Sequence, residues 1–473
     1  MSPSILILTS EPLPLPGLAA TGAGLRAWQL REGLRAAGFD AEAAMPLAVA
    51  RSSLVSPPGS TGAGPAGELP DSILHRCFSL DSVPEFLAAR RPDVLVLQHW
   101  GLFDRLGEWD GPLAIDLAGP HVLERAYWGS SRTGADVAQK LQALRRADFI
   151  VCSGRYQRHY FWPYLLQAGW SADELDIPII PFCWPFTGES SAGASAARQT
   201  KFVYGGMLLP WQDPSAALGW LLETMEEAAA GELLFIGGAH PAGDVSLGRF
   251  EGLLDRLERH PRVTVRGRMA FEDYQAALRG CGWALDVMAP NAERELAFAT
   301  RTVIYLAAGL GLVHGDYTEL SPLVESFGAG VIVPPRDEQA FKEAIRSILR
   351  GELRRDEAAL GARRLLQSRL TTERYIGPLA DFCRAPRRRD AGGRCRDGEP
   401  AGAADSAAVE KLRRERDEAR AELAALKGKA WVRWGERLIG LRPLWALVGL
   451  VVGAVVAPVL TLLLWMSGRP RPR

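Results

Sequence analysis

The chain has 473 residues, 47% of them hydrophobic, which excludes a disordered protein and allows two or three domains with cores of their own. Lysine plus arginine equals aspartate plus glutamate at 55 each, so no global field points to nucleic acid and any charged partner must be met locally. The six cysteines, Cys77, Cys152, Cys183, Cys281, Cys383 and Cys395, show no CxxC pair or metal-ligand spacing and fit a reduced, cytosolic setting.

The N-terminal "MSPSILILTSEP" lacks a basic start ahead of a long apolar core, so it reads as a first strand rather than a signal peptide. Short β-rich runs then alternate with helical segments: "SILILTS", "AGLRAWQLREGLRAAG", "DAEAAMP", "DVLVLQ", "PLAIDLA" and "DFIVCS". Apolar runs without strict alternation suit strands buried on both faces of a parallel sheet. After the Ala/Ser/Gly-rich "GESSAGASAARQ" the pattern restarts with "KFVYGG", "GELLFIGG", "RVTVRG", "GWALDVMA", "GLGLVHG" and "GAGVIVP". Two successive βα series predict an α/β architecture of two doubly wound, Rossmann-like domains facing a cleft, residues 1–185 and 201–385, with a linker at 186–200.

Beyond them, 386–406 has the Arg, Gly, Pro and Ala content of a flexible linker. Residues 407–430 carry Val409, Leu412, Ala419, Leu423 and Leu426 as an incomplete apolar stripe among mixed charges. They form either a solvated stalk helix or a short coiled coil through which 407–428 self-associates. Residues 431–443 mix tryptophans with arginines and suit an anionic leaflet. From Leu444 to Met466 the chain runs without a charge, enough for about 35 Å of helix against a hydrocarbon core of about 30 Å. With Trp445 and Trp465 near its ends, 444–466 is expected to be a single transmembrane helix anchoring the body to the cytoplasmic face of the inner membrane.

The chemistry-bearing residues cluster at predicted strand ends. After the first strand, Gly22, Gly24 and Arg26 open a helix where backbone amides can meet an anionic or sugar ligand. The loop is too long for GxGxxG, which disfavours a nicotinamide dehydrogenase. His99 and Trp100 follow "DVLVLQ", and Asp116 and His121 follow "PLAI", where an aromatic ring can stack on a sugar and a histidine or carboxylate can orient or deprotonate a hydroxyl. Ser153, ahead of "GRYQRHYF", is the natural cap of the next helix. Gly237, Gly238 and His240 end "LLFIGG", with His240 either structural or facing the cleft.

Seven segments in order, "GAGLRAWQLREGLRAAGFDAEAAMP", "DVLVLQHWGLFDRL", "GPLAIDLAGPHVLE", "ADFIVCSGRYQRHYF", "YGGMLLPWQDPSAAL", "LLFIGGAHP" and "FATRTVIYLAAGLGLV", make residues 4–385 resemble glycosyltransferase family 4, the group 1 glycosyltransferases, in the bacterial branch of surface-polysaccharide and O-antigen synthesis. The resemblance implies a GT-B fold, a nucleotide-sugar donor held by the second domain, a glycan or lipid-linked acceptor facing the first, retention of anomeric configuration, and no cofactor or metal. It implies that the turn Gly205–Gly206 holds the diphosphate. The Arg/Lys pair usual just after these glycines is missing, and Trp211, Gln212 and Asp213 stand in that area. Arg301, with Thr302 beside it, then becomes the diphosphate contact at the start of "FATRTVIYLAAG", where the helix dipole also favours anions. Of the family's two glutamates around this helix, Glu295 matches the one toward the transferred sugar. The ribose-binding one, counted back from Ala307, Ala308 and Gly309, falls on Ile304, leaving Glu319 as substitute or as a helix-start carboxylate. The departures keep open a catalytically degenerate, glycan-binding or partner-binding subunit, and an epimerase on the same fold.

Overall fold

The computed structural model describes residues 2–55, 69–129, 132–188, 196–237 and 250–389, all of which belong to one compact unit, Met1–Arg396. Gly238, His240, residues 390–406 of the linker, and the expected helices at 407–430, 431–443 and 444–466 lie outside the described residues. Among the described residues no helix is long and apolar enough to cross a membrane.

Among the described residues, twelve strands form two six-stranded parallel sheets. In the first, β1 (Ser4–Leu8), β2 (Asp40–Pro46), β3 (Cys77–Phe78), β4 (Val94–Gln98), β5 (Leu113–Leu117) and β6 (Phe149–Cys152) are ordered β3-β2-β1-β4-β5-β6. In the second, β7 (Lys201–Gly205), β8 (Glu232–Ile236), β9 (Val263–Arg266), β10 (Trp283–Asp286), β11 (Gly311–Gly315) and β12 (Gly330–Val333) are ordered β12-β11-β10-β7-β8-β9. Both orders reverse direction beside the domain's first strand, β1 next to β4 and β7 next to β10, the place where doubly wound sheets open a crevice.

The sequence explains the layering. Every residue of β4 and β5 is buried, so these strands carry apolar side chains on both faces instead of alternating. Helices cover both faces and divide each domain's interior into two main apolar clusters. Each fully buried Leu, Val or Ile contributes about 1.5–3 kcal/mol, which makes these sheets the rigid base for the loops at their carboxyl ends.

The domain boundary at 385 needs correction. The helix Gly377–Arg384 closes the first domain, not the second: Ile376, Leu379, Ala380, Phe382 and Cys383 join the cluster around β1 and β2, and Phe382 stacks on Phe149 at 4.9 Å. Its apolar stripe matches the surface left open beside β6, which a series read in chain order assigns to the preceding domain. The start of the expected flexible linker is also tied down. The Arg389 amide donates to Asp148 at 2.8 Å and its guanidinium lies 3.9 Å from the Trp170 ring. At the interdomain linker, Thr187 and Gly188 donate to the Ala307 carbonyl, and Ala196–Gln199 is helical.

Candidate active site

A cavity of about 360 Å³ lies between the domains, and its walls come from the carboxyl ends of both sheets. The first domain supplies Ser10 and Glu11 after β1, His99 after β4, Gly119 to His121 after β5 and Ser153 after β6. The second supplies Gly205 and Gly206 at the end of β7, Gly237 after β8, and Glu293, Arg294, Ala297 to Arg301 and Ile304.

On the second-domain side the centre is Arg301, at the second position of the helix Thr300–Ala307. Its Nη1 donates to the Tyr204 hydroxyl at 2.9 Å and its Nη2 to Gln212 Oε1 at 2.7 Å. Burial opposes its charge, but Tyr204, Tyr305 and Asp286 outweigh burial and hold the guanidinium protonated above its ordinary value. Asp286, at the end of β10, accepts from Thr302 and lies 3.0 Å from His314 Nδ1. Burial alone would raise its pKa; the His314 hydrogen bond and charge, with Arg301 and Thr302, bring it to about 2. A cation is thus fixed at a helix N-terminus on neutral partners, ready for an anion.

The glycine turns do something other than the resemblance implies. The Gly205 amide donates to the Tyr305 hydroxyl, the Gly206 amide to the Ile236 carbonyl, and the Gly237 amide to the Arg266 carbonyl, so none of the three is open to a diphosphate. What glycine provides at 206 is room: at φ 149° a Cβ there would lie 2.3 Å from Arg301 Nη2. Trp211 lines the cavity and meets Trp128 of the first domain edge to face at 5.2 Å.

The two carboxylates expected on this side are displaced. Glu295 is exposed and off the cavity; Glu293, two residues earlier, is 1% exposed and lines it, held by Arg294 through contacts of 2.6 and 2.8 Å. Asn291 caps this short turn by accepting from the amides of Glu293 and Arg294, which rotates Glu293 inward and Glu295 out. Glu319 does not reach the cavity. Its oxygens accept from the amides of Arg155 at 3.0 Å and Tyr156 at 3.3 Å, so it caps a first-domain helix, Arg155–Gln167, from the second domain. Ser153 therefore is not that cap: Gly154 occupies the N-cap position and contributes no side chain. Ile304 lines the cavity with no carboxylate replacing it there, and Thr302 is buried against Asp286.

On the first-domain side, His99 and His121 stack at 5.1 Å. His99 has a left-handed backbone, φ 59°, and its Nδ1 is buried without a partner among the described residues. Burial pushes both imidazoles down to about 4, with His121 adding to the effect on His99 and Arg125 to that on His121. His121 Nδ1 lies 3.2 Å from Glu124 Oε2, and burial raises the Glu124 pKa. Glu11 also lines the cavity, and burial pushes its carboxyl up to about 7.

Four other first-domain expectations need correction. Arg26 and Asp116, 1% and 0% exposed, form a bidentate pair at 3.1 and 3.0 Å, and the remaining Arg26 contacts go to Gln29 and the Pro181 carbonyl. They hold the domain together and are not arranged as open ligands. Gly24 packs on Pro12, where a Cβ would lie 1.8 Å from the carbonyl oxygen, and its amide is taken by Thr21. Trp100 is 1% exposed, between His121 and the Arg125 guanidinium; the tryptophan facing the cavity is Trp128. Glu11, Glu124, Trp128, Glu293 and Arg294 were not singled out, because each sits in a loop or short helix whose direction no periodicity fixes. Among the described residues, no group of three or more His, Cys, Asp or Glu side chains is placed to hold a metal ion.

No protein-family model and no curated protein matches the chain. Among solved structures, sucrose-phosphate synthase from Thermosynechococcus elongatus is similar at a TM-score of 0.57 and 17% identity, over 80% of this chain and 98% of that one. HepE from Anabaena, solved with UDP and glucose, matches at 0.53 and 15%, over 80% and 99%. WaaG, a glycosyltransferase involved in lipopolysaccharide biosynthesis, matches at 0.51 and 13%, over 80% and 100%. At these identities the likeness defines the fold, and the fold is GT-B.

Proposed function

We propose that the chain is a nucleotide-sugar-dependent glycosyltransferase, moving a sugar with retained configuration to a membrane-borne saccharide or lipid-linked acceptor in cell-surface glycan assembly. The observation that carries this reading is Arg301, a protonated guanidinium on neutral partners at a helix N-terminus, in the cleft between two Rossmann-like sheets. The solved relatives in fold include proteins crystallised with UDP or described as glycosyltransferases, which supports the substrate class by analogy.

In the reaction, the bond between the anomeric carbon and the donor phosphate breaks, and its electrons go to the leaving diphosphate. Arg301 and the helix N-terminus stabilise that charge where it develops. The acceptor hydroxyl forms the new glycosidic bond and gives up its proton. His121, kept neutral by burial and oriented by Glu124, hydrogen-bonds that hydroxyl and takes the proton. Glu293, held by Arg294, faces the transferred sugar. The apolar stretch 444–466 supports tethering at the cytoplasmic face of the membrane, which would raise the local concentration of a lipid-linked acceptor.

A second reading, a degenerate subunit that binds glycan or a partner enzyme, is favoured by the occupied amides of Gly205, Gly206 and Gly237 and by Ile304. Screening nucleotide-sugars for nucleotide release by the full chain, then repeating with Arg301→Ala and Glu293→Gln, separates the two. Release that falls at least about a hundredfold in Arg301→Ala supports the transferase. No release with any donor, alongside measurable nucleotide binding, selects the degenerate subunit. Deleting 431–473 tests the anchor: protein that still sediments with membranes counts against it.

A further inference from the structure

We propose that the accepting sugar carries no acidic group: the first-domain wall of the cleft takes a neutral or amino sugar ring beside Trp128 and rejects uronates and sugar phosphates. This rests on the transferase reading above. Among the described residues, Arg26 is the only first-domain cation lining the cavity, and the Asp116 carboxylate already occupies it in a bidentate pair. The nearby Arg125 is bound to Asp136 at 2.6 Å and lies over the Trp100 ring. Across the cleft, Arg294 is forked onto Glu293, and the exposed Arg268 donates to the Ser52 carbonyl at 3.1 Å. Of the arginines that line the cavity, Arg301 and Arg268 stand on neutral partners, and both belong to the second domain, across the cleft from the acceptor wall.

The same wall carries two carboxyls, Glu11 and Glu124, with the His99 and His121 pair between neighbouring strand ends. The carboxyls are close enough for the charge of Glu124 to raise the Glu11 pKa. An acidic acceptor seated against this wall would lose its water, find no free cation on it and be repelled by whichever of Glu11 and Glu124 is ionised. A neutral ring meets hydrogen-bonding carboxyls and imidazoles. The ammonium of an amino sugar would favour the ionised form of these carboxyls and pair with it. Trp128, 40% exposed at the end of the helix His121–Tyr127, offers an indole at the cavity wall against which a sugar's apolar face can pack.

The test measures acceptor-stimulated nucleotide release by the full chain, using the donor found by screening. The acceptors are octyl glycosides of glucose, glucosamine and glucuronic acid, and octyl glucoside 6-phosphate, at equal concentration. The first two should stimulate release at least about tenfold more than the two acidic ones. Glu11→Gln and, separately, Glu124→Gln should narrow that ratio, and Trp128→Ala should raise the acceptor KM. The ratio is internal to each variant, so a variant with lowered total activity still reports it. Equal or greater stimulation by the uronate or phosphate, or stimulation by none of the four, overturns the proposal while leaving the transferase reading standing. No nucleotide release with any donor overturns that reading and this proposal together.

Discussion

Replacing Glu319 by alanine should loosen one edge of the contact between the two domains. The helix Arg155–Gln167 has no cap of its own: Gly154 lacks a side chain and the first turn has no acidic residue. The second domain provides the missing acceptor through Glu319, at 3.0 and 3.3 Å from the Arg155 and Tyr156 amides. An N-cap carboxylate and its attraction to the helix dipole are together worth about 1–2 kcal/mol, the lower end applying because Glu319 is partly exposed. Loss of that term should raise the population in which the two amides are open by about 5–30-fold. Amide hydrogen exchange resolved at residues 155 and 156 reads the change directly, with Glu319→Gln, which keeps one acceptor oxygen, in between. Gly154→Ala should mimic the loss, since its Cβ would lie 2.6 Å from Glu319 Oε2. Unchanged exchange at those two amides refutes the reasoning. So does faster exchange spread evenly over the first domain, which would mean general destabilisation instead of an opened clasp.

Arg26→Met should lower stability by about 3–5 kcal/mol, because Asp116 is left buried and unpaired; adding Asp116→Asn should recover much of it, as read by thermal unfolding midpoints. Gly206→Ala should displace Arg301 from Tyr204 and Gln212 and weaken nucleotide binding by calorimetry, with the backbone strain adding about 1 kcal/mol of destabilisation. The pH dependence follows from opposed groups in the cleft. His99 and His121, with folded pKa values of about 4 against 6.5, bind more protons unfolded, so their contribution is lost as pH falls from 6.5 toward 4. Glu11, at about 7 against 4.5, binds more protons folded, so its contribution declines as pH rises from 4.5 to 7. These slopes oppose each other in the parent. In Glu11→Gln the unfolding midpoint should therefore fall more steeply from pH 6.5 to 4.5; an unchanged slope counts against a buried Glu11.

The two sheets were legible because parallel strands buried on both faces write themselves as apolar runs, and "DVLVLQ" and "PLAIDLA" became β4 and β5. The strand ends were legible for the same reason, which is why His99, His121, Gly205, Gly206, Gly237 and Arg301 do line one cavity. Direction within short segments was not. One Asn291 cap decides that Glu293 faces in and Glu295 out, and the choice depends on two hydrogen bonds rather than on a period. Pairing across long separations was equally silent. Nothing local says that Arg26 meets Asp116, that Glu319 meets Arg155, or that the helix Gly377–Arg384 returns to the first domain.

Two of the displaced expectations on the second domain, Thr302 and Glu319, turn out to be joined through the interior. Thr302 donates to Asp286, Asp286 meets His314 Nδ1, and His314 Nε2 lies 2.9 Å from the Thr318 hydroxyl, one residue before Glu319. Thr318 and Ser321 bond each other, and Ser321 donates to the Gly315 carbonyl, fixing the loop after β11 that carries the clasp. The start of the Arg301 helix and the base of the interdomain clasp are therefore anchored to one buried carboxylate. With Asp286 at about 2, that anchor stays ionised through the whole range in which Glu11, His99 and His121 titrate. Acidification toward pH 4 then acts on the acceptor wall while the position of Arg301 is retained, so nucleotide affinity should persist under conditions where acceptor-dependent turnover has already been lost.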